Sequence, residues 1–348
     1  MTGVPGDPSD LAPTLLTHLR RHLAARALAY AAPPTPIAGG YDTRIWTFRL
    51  HDAPAPWSGP LVLRVLNPAR DPRRALRERA IQNAVAQEGY PAPRVLWASA
   101  DRTCLGAGFL VMERARGRPL LEDRLRGVGV TLAGAQARLH ALDPEPVLRA
   151  LDKEGRPAGG GVDRSVVGYG ALLDAFDRGV ADAALEGLAP GVRWLRAHRP
   201  AAGAPAICHG DFHPRNLLAE GGRVSAVLDW PNTVVTDPEY DVAATLVILR
   251  LVPIALLPVP APLRPVVAAV RALMTARYLA AYRRARGLDR DRLAYYEAAA
   301  CMRGLVRTGA ARVAGDRNPL DASRFGARLA ARFARVSGVA VSLPPWRR

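Results

Sequence analysis

His209-Gly210-Asp211-Phe212-His213-Pro214-Arg215-Asn216 is followed, thirteen residues after Asn216, by Asp229. An acid and an amide five apart, then a second acid, suit phosphoryl transfer. A carboxylate beside an incoming hydroxyl can take its proton, and an amide oxygen with another carboxylate suits Mg²⁺, which prefers hard oxygen ligands in octahedral geometry. Taken singly, Asp211 capping a turn, Asn216 opening a strand and Asp229 ending one are ordinary. The spacing of all three together is what points to catalysis.

Two strands and a turn must bring these groups together. Leu217-Leu218-Ala219 is a short apolar run, Glu220-Gly221-Gly222-Arg223 a turn, and Val224-Ser225-Ala226-Val227-Leu228 alternates toward a second strand. The hairpin predicted from this pattern sets Asn216 and Asp229 nearly opposite one another at its open end, with Asp211 just upstream on the connecting loop.

The chain resembles the aminoglycoside phosphotransferase and choline kinase-like family, small-molecule kinases with a protein-kinase-like fold. The resemblance rests on His209 to Asn216, on Leu228-Asp229-Trp230, and on Asp237-Pro238-Glu239-Tyr240-Asp241-Val242-Ala243. It implies an α+β, two-lobed architecture: an N-lobe antiparallel sheet with a helix, and a mainly helical C-lobe. It also implies Asp211 as catalytic base, Asn216 and Asp229 as Mg²⁺ ligands, Asp241 as an acid bracing the catalytic loop, His209 as a loop support, and ATP or GTP as donor.

The upstream half can be read against the same chemistry, which needs a basic residue on a strand, an acid on the following helix and a glycine-containing turn over the phosphates. Leu61-Val62-Leu63-Arg64-Val65-Leu66 reads as a buried strand carrying one charge, and such a charge needs a partner. Asp71 to Glu88 reads as a helix in which Glu78, Ile81 and Val85 share a face, ended by Gly89, Pro91 and Pro93. Glu78 is therefore the expected partner of Arg64. The resemblance would place lysine at Arg64, but the only lysine in the chain is Lys153. Arginine is planar and bidentate, so phosphate placement can differ. Pro36 to Thr43, with Gly39 and Gly40, is the candidate phosphate-covering turn, although this composition also makes an ordinary hairpin turn. Gly108 to Met112 reads as a strand entering Glu113-Arg114-Ala115-Arg116-Gly117, which looks like the interlobe hinge. By the resemblance, backbone groups of Glu113 and Ala115 would meet the adenine edge. The expected division is residues 1–112 as a nucleotide-binding N-lobe with a helical lead-in over about 9 to 31, 113–117 as hinge, and 118–348 as the catalytic and acceptor-binding C-lobe.

Composition bounds the remaining choices. At 348 residues and 49% hydrophobic content, the chain can build two cores and is not generally disordered. Cys104, Cys208 and Cys301 are far apart and odd in number, which suggests a reducing, cytoplasmic setting. Met1 to Asp10 reads as a loose tail with no basic region followed by an apolar core. Leu251 to Leu263 is broken by four prolines and cannot span a bilayer as one helix, so no membrane partner is expected. The loop expected from Asp152 to Ser165 holds Gly159-Gly160-Gly161. Thr131 to Leu142 and most of Gly168 to His198 read as helices, and Tyr278, Tyr282, Tyr295 and Tyr296 as helix-packing aromatics. From Val242 to Arg348 there are nineteen arginines against five acids, +14 of the chain's net +17. Such a field disfavours polycationic aminoglycosides, so a neutral or anionic small-molecule hydroxyl acceptor is expected.

Three other functions fit parts of the sequence. His209, Asp211 and His213 could ligate a transition metal in a hydrolase, which leaves Asn216 and Asp229 unexplained. A pseudokinase could bind nucleotide without turnover. A basic surface could bind nucleic acid, but no recognised motif is present, so no specific nucleic-acid partner is expected.

Overall fold

The structure, a computed structural model, describes residues 8–37, 43–123, 127–154, 164–254, 259–316 and 323–346. Helix α1 (Pro8–His22) precedes strands β1 (Ala29–Pro36), β2 (Thr43–His51) and β3 (Leu61–Leu66). Helix α2 (Arg74–Gln87), β4 (Val95–Ser99), the single turn α3 (Arg102–Leu105) and β5 (Phe109–Glu113) complete the N-lobe. Its antiparallel sheet has the order β1-β2-β3-β5-β4. Two expectations are corrected at the amino end. The helix starts at Pro8, within the stretch read as a tail, and the helical lead-in stops at His22 because Ala29 already opens a strand.

Beyond β5 come β6 (Arg118–Pro119), α4 (Leu120–Asp123), α5 (Val128–Leu139), α6 (Glu145–Glu154), α7 (Tyr169–Asp182) and α8 (Ala189–Ala197). They are followed by β7 (Ala206–Cys208), the hairpin β8 (Leu217–Glu220) and β9 (Arg223–Val227), β10 (Val234–Thr236), and helices α9 (Pro238–Leu251), α10 (Arg264–Arg286), α11 (Arg290–Ala314) and α12 (Phe325–Ser337). The result is the expected α+β pairing of a sheet lobe with a helical lobe.

Strand β3 lies in the middle of its sheet, where its alternate side chains are covered on both faces; Leu61, Leu63 and Val65 join the core shared with α1. Helix α2 serves two partners. Its Ala80, Ile81, Ala84 and Val85 enter the core of the helical lobe rather than that of the sheet. Burying Ile81 and Val85 contributes about 1.5–3 kcal/mol each, and it fixes the rotation of α2 that turns Glu78 inward. The predicted i, i+3, i+7 face is thus present.

The segment after β5 is clamped at its backbone. Arg114 N–H donates to Pro60 O at 2.9 Å, and Ser225 Oγ–H donates to Arg116 O at 2.7 Å. Gly117, at φ +105°, passes so close to β8 that a Cβ there would lie 2.6 Å from the Ala219 carbonyl. Only glycine permits both the left-handed backbone and this approach. Among the described residues, no helix is long and apolar enough to cross a membrane.

Candidate active site

The β8–β9 hairpin forms where the glycine pair predicts it, with Glu220 paired to Arg223. Its register then slips: Ala219 pairs with Val224 but Leu218 with Ala226, leaving Ser225 as a bulge. That bulged residue is the one that reaches the Arg116 carbonyl. The slip also places Asn216 opposite Leu228, whose N–H donates to Asn216 O at 2.8 Å. Asp229 therefore lies one step from direct opposition to Asn216, the near-opposition expected of the hairpin, in a left-handed conformation at φ +71°.

From there Asp229 meets the sheet lobe. Arg64, 9% exposed, donates from Nη1 to Glu78 Oε1 and from Nη2 to Asp229 Oδ1, the latter at 2.9 Å. Glu78 is fully buried. Burial pushes the Glu78 carboxyl upward, the Arg64 guanidinium pulls it back down, and the net is upward. On Arg64, burial opposes the charge, but Glu78 and Asp229 outweigh it. One planar guanidinium thus spans two carboxylates contributed by two lobes, which a single lysine ammonium is poorly shaped to do.

The loop carrying Asp211 is fixed from behind. Asp241, fully buried at the start of α9, accepts from His209 N–H at 3.1 Å and from Gly210 N–H at 2.7 Å. Gly210 is at φ +78°, and a Cβ there would collide with the Asn232 carbonyl. His140, at the end of α5, connects Asp241 Oδ2 at 3.1 Å to the Tyr282 hydroxyl at 2.6 Å. Burial alone would raise the Asp241 carboxyl. Hydrogen bonding to His140 and its charge, with His209 and Gln136, hold it below the ordinary value of 3.8 instead.

A depressed folded value means stability that is present above 3.8 and lost as pH falls through the folded pKa. Asp241→Asn should therefore cost about 2–4 kcal/mol at neutral pH, because an amide turns a donor toward one loop N–H. Urea unfolding should show that difference shrinking below about pH 4, where the unfolded chain begins to take up the proton that the folded carboxylate still resists.

Asp211 remains about a quarter exposed, its Oδ1 3.7 Å from His213 Nε2. Burial holds the His213 imidazole below its ordinary range, with Asp211 opposing. Asn216 Nδ2–H donates to the Asp211 carbonyl at 3.0 Å, which leaves its Oδ1 as the atom open to a ligand. The structure thus joins Arg64, Glu78 and Asp229 directly, and ties Asn216 to Asp211. Glu113 ends β5 with its N–H given to Arg94 O at 3.0 Å. Ala115 follows it without a backbone hydrogen bond among the described residues. Gly39 and Gly40 lie outside the described residues.

A transition-metal site on His209 does not fit this geometry. Its Nε2 donates to Leu228 O at 3.0 Å and its Nδ1 accepts from Asp211 N–H at 3.3 Å, so both ring nitrogens are used. Sequence reasoning assigned no chemistry to His140 and did not anticipate Ser225 or Arg303. A pointer to His140 was its i, i+4 relation to Gln136, which faces the same buried side. Ser225 bonds across 109 residues and Arg303 across 63, and neither left a local pattern.

A model of the APH phosphotransferase enzyme family matches residues 34–296. The chain belongs to this phosphotransferase family. Among curated relatives, mouse acyl-CoA dehydrogenase family member 10 is 31% identical over 177 residues, covering 48% of this chain and 16% of that protein. Chicken acyl-CoA dehydrogenase family member 11 is 30% identical over 178 residues, covering 48% and 22%. The chain thus matches less than a quarter of the length of these relatives. Among solved structures, the aminoglycoside phosphotransferase APH(4)-Ia superposes with a TM-score of 0.60 at 19% identity, over 94% of this chain and all of that one. The macrolide 2'-phosphotransferase MphH of Brachybacterium faecium gives 0.51 at 20% identity, over 96% and 99%. At such identities the likeness concerns fold, which is the two-lobed, protein-kinase-like one.

Proposed function

We propose that this phosphotransferase moves the γ-phosphoryl group of ATP or GTP to the hydroxyl of a small molecule that is not a polycationic aminoglycoside. The observation that carries the reading is the Arg64 guanidinium held between Glu78 and Asp229, with Asp229 one residue past the position opposite Asn216. A nucleotide donor is supported by the APH(4)-Ia fold having been solved with ADP and hygromycin B.

Each residue then has a task. Arg64, positioned by Glu78, contacts the phosphates. Asp211 orients the acceptor hydroxyl and takes its proton as the new phosphorus–oxygen bond forms and the bond to the β,γ-bridging oxygen breaks. Backbone groups of Glu113 and Ala115 meet the adenine edge, and Gly39 and Gly40 belong to the turn over the phosphates. The division into an N-lobe to 112, a hinge over 113–117 and a C-lobe from 118 is part of the same reading.

Mg²⁺ fits the donor set, since Asn216 Oδ1 and Asp229 are hard oxygens and this ion takes one or two protein ligands beside phosphates and water. When bound, it neutralises charge on the phosphates. Cys104, Cys208 and Cys301 are free thiols, which supports a reducing, cytoplasmic setting.

The acceptor preference follows from the +14 carried by residues 242–348. A coupled nucleotide-turnover panel should rank neutral and anionic alcohols above kanamycin-type polycations, with the difference narrowing as salt rises. A panel led by the polycations would overturn that preference.

A further inference from the structure

Arg303 lies on α11, far in sequence from the catalytic loop, yet its guanidinium rests against that loop. A Cβ placed on Gly210 would come 3.2 Å from Arg303 Nη1, and Nη1 donates to the Tyr240 hydroxyl at 3.3 Å. Gly210 immediately precedes Asp211. A guanidinium has five N–H donors, and one of them is used among the described residues.

Two other partly buried arginines of the same lobe are paired with carboxylates. Arg292 pairs with Asp237 at 2.9 Å, and Arg332 takes both Glu297 oxygens. Arg303, only partly exposed, has no carboxylate within ion-pair distance among the described residues. Burial opposes its charge, but the fields of Tyr240, Asp211 and Asp241 keep it protonated. A second cation borders the same aromatic cluster: Arg199 sits 5.4 Å over the Tyr169 ring, which packs 6.0 Å from the Tyr240 ring.

A cation in this position, near the group proposed to receive the acceptor's proton and with no carboxylate in direct contact among the described residues, is suited to an anion brought by the acceptor. We propose that Arg303 is an acceptor-binding residue that takes a carboxylate or phosphate group, so that the acceptor is a hydroxyl compound carrying such an anion. This assignment rests on the phosphotransferase reading above and narrows its acceptor class. The planar guanidinium fork matches either oxyanion with paired hydrogen bonds, and the basic helical lobe draws anionic compounds toward it.

The test compares short hydroxy acids, each with its own methyl ester, and hydroxyl-bearing phosphate monoesters, each with its parent diol, using Mg-ATP and the full chain. Wild type should favour the charged member of at least one pair type, and which type responds separates carboxylate from phosphate. In Arg303→Gln that preference should fall by about 10- to 100-fold through the KM of the charged compound, the loss expected for one charge-assisted contact. Turnover of the neutral member should fall by a clearly smaller factor than that of the charged one, and Arg303→Lys should restore part of the preference. Should Arg303→Gln fail to fold, the wild-type ratio and Arg303→Lys decide the matter. Equal turnover of charged and neutral members by wild type, or equal slowing of both in Arg303→Gln, would overturn the assignment and leave Arg303 as a brace for Tyr240. Absence of transfer to every compound by wild type that binds Mg-nucleotide would instead overturn the phosphotransferase reading itself.

Discussion

Asp211→Ala should bind Mg-nucleotide within about threefold of wild type while losing roughly 10²- to 10⁴-fold in the transfer rate, the range typical of removing a positioned general base. Among the described residues, the side chain makes no hydrogen bond to the elements that fix the loop. The loop is held by Asp241 through the backbone N–H groups of His209 and Gly210, and by Asn216 through the Asp211 carbonyl. None of those contacts needs the Asp211 carboxylate, so its removal should leave the fold and the nucleotide site in place. Asp229→Ala should behave differently. It removes a proposed metal ligand together with one of the two carboxylates on Arg64, so metal-dependent nucleotide binding should fall along with turnover. Calorimetric titration with a non-hydrolysable nucleotide, in the presence and absence of Mg²⁺, separates the two variants.

Arg64→Ala should destabilise the protein by about 3–5 kcal/mol, because Glu78 would be left buried without its cation. The sign of the pH effect follows from Glu78. Burial already raises its pKa, and losing Arg64 raises it further, so the variant binds a proton in the folded state that the unfolded chain releases near the ordinary value of 4.5. The penalty should therefore shrink as pH falls through the raised pKa and stand in full above it. Arg64→Lys should recover much of the stability, since one ammonium still meets Glu78. It should recover less of the nucleotide affinity, since a single point charge does not reproduce the two-sided contact with Asp229. Denaturant unfolding across pH, beside nucleotide titration, reads both effects.

Much of this site was legible because its parts are local. The strand Leu61–Leu66, the inward face of α2 and the Gly221-Gly222 hairpin each follow from periodicity or turn chemistry over fewer than twenty residues. The Arg64–Glu78 pair was legible for a related reason: a charge in the middle of a buried strand requires a counter-charge, and the next helix offers one on its apolar face. The register slip at Ser225 was not, because a bulge depends on what the strand pairs with on its other side and on the Arg116 carbonyl above it. The amino-terminal helix ended earlier than expected for a similar reason. Residues from Ala29 onward gain a partner in β2, and pairing outweighs their weak local preference. His140 and Arg303 lay furthest from reach, since their partners Asp241, on α9, and Gly210, on the catalytic loop, are remote in the chain.

The central claim is that Arg64, Asp211, Asn216 and Asp229 act together on one metal-bound nucleotide and one hydroxyl. Phosphorus NMR of wild type and Asp211→Ala, incubated with Mg-ATP and a panel of hydroxyl compounds, tests it most directly. The account predicts a new phosphate-ester resonance with matching ADP in wild type, and its near absence in Asp211→Ala despite retained nucleotide binding. An ester formed equally by both proteins, or none formed by wild type from any hydroxyl compound while Mg-ATP is bound, would contradict it.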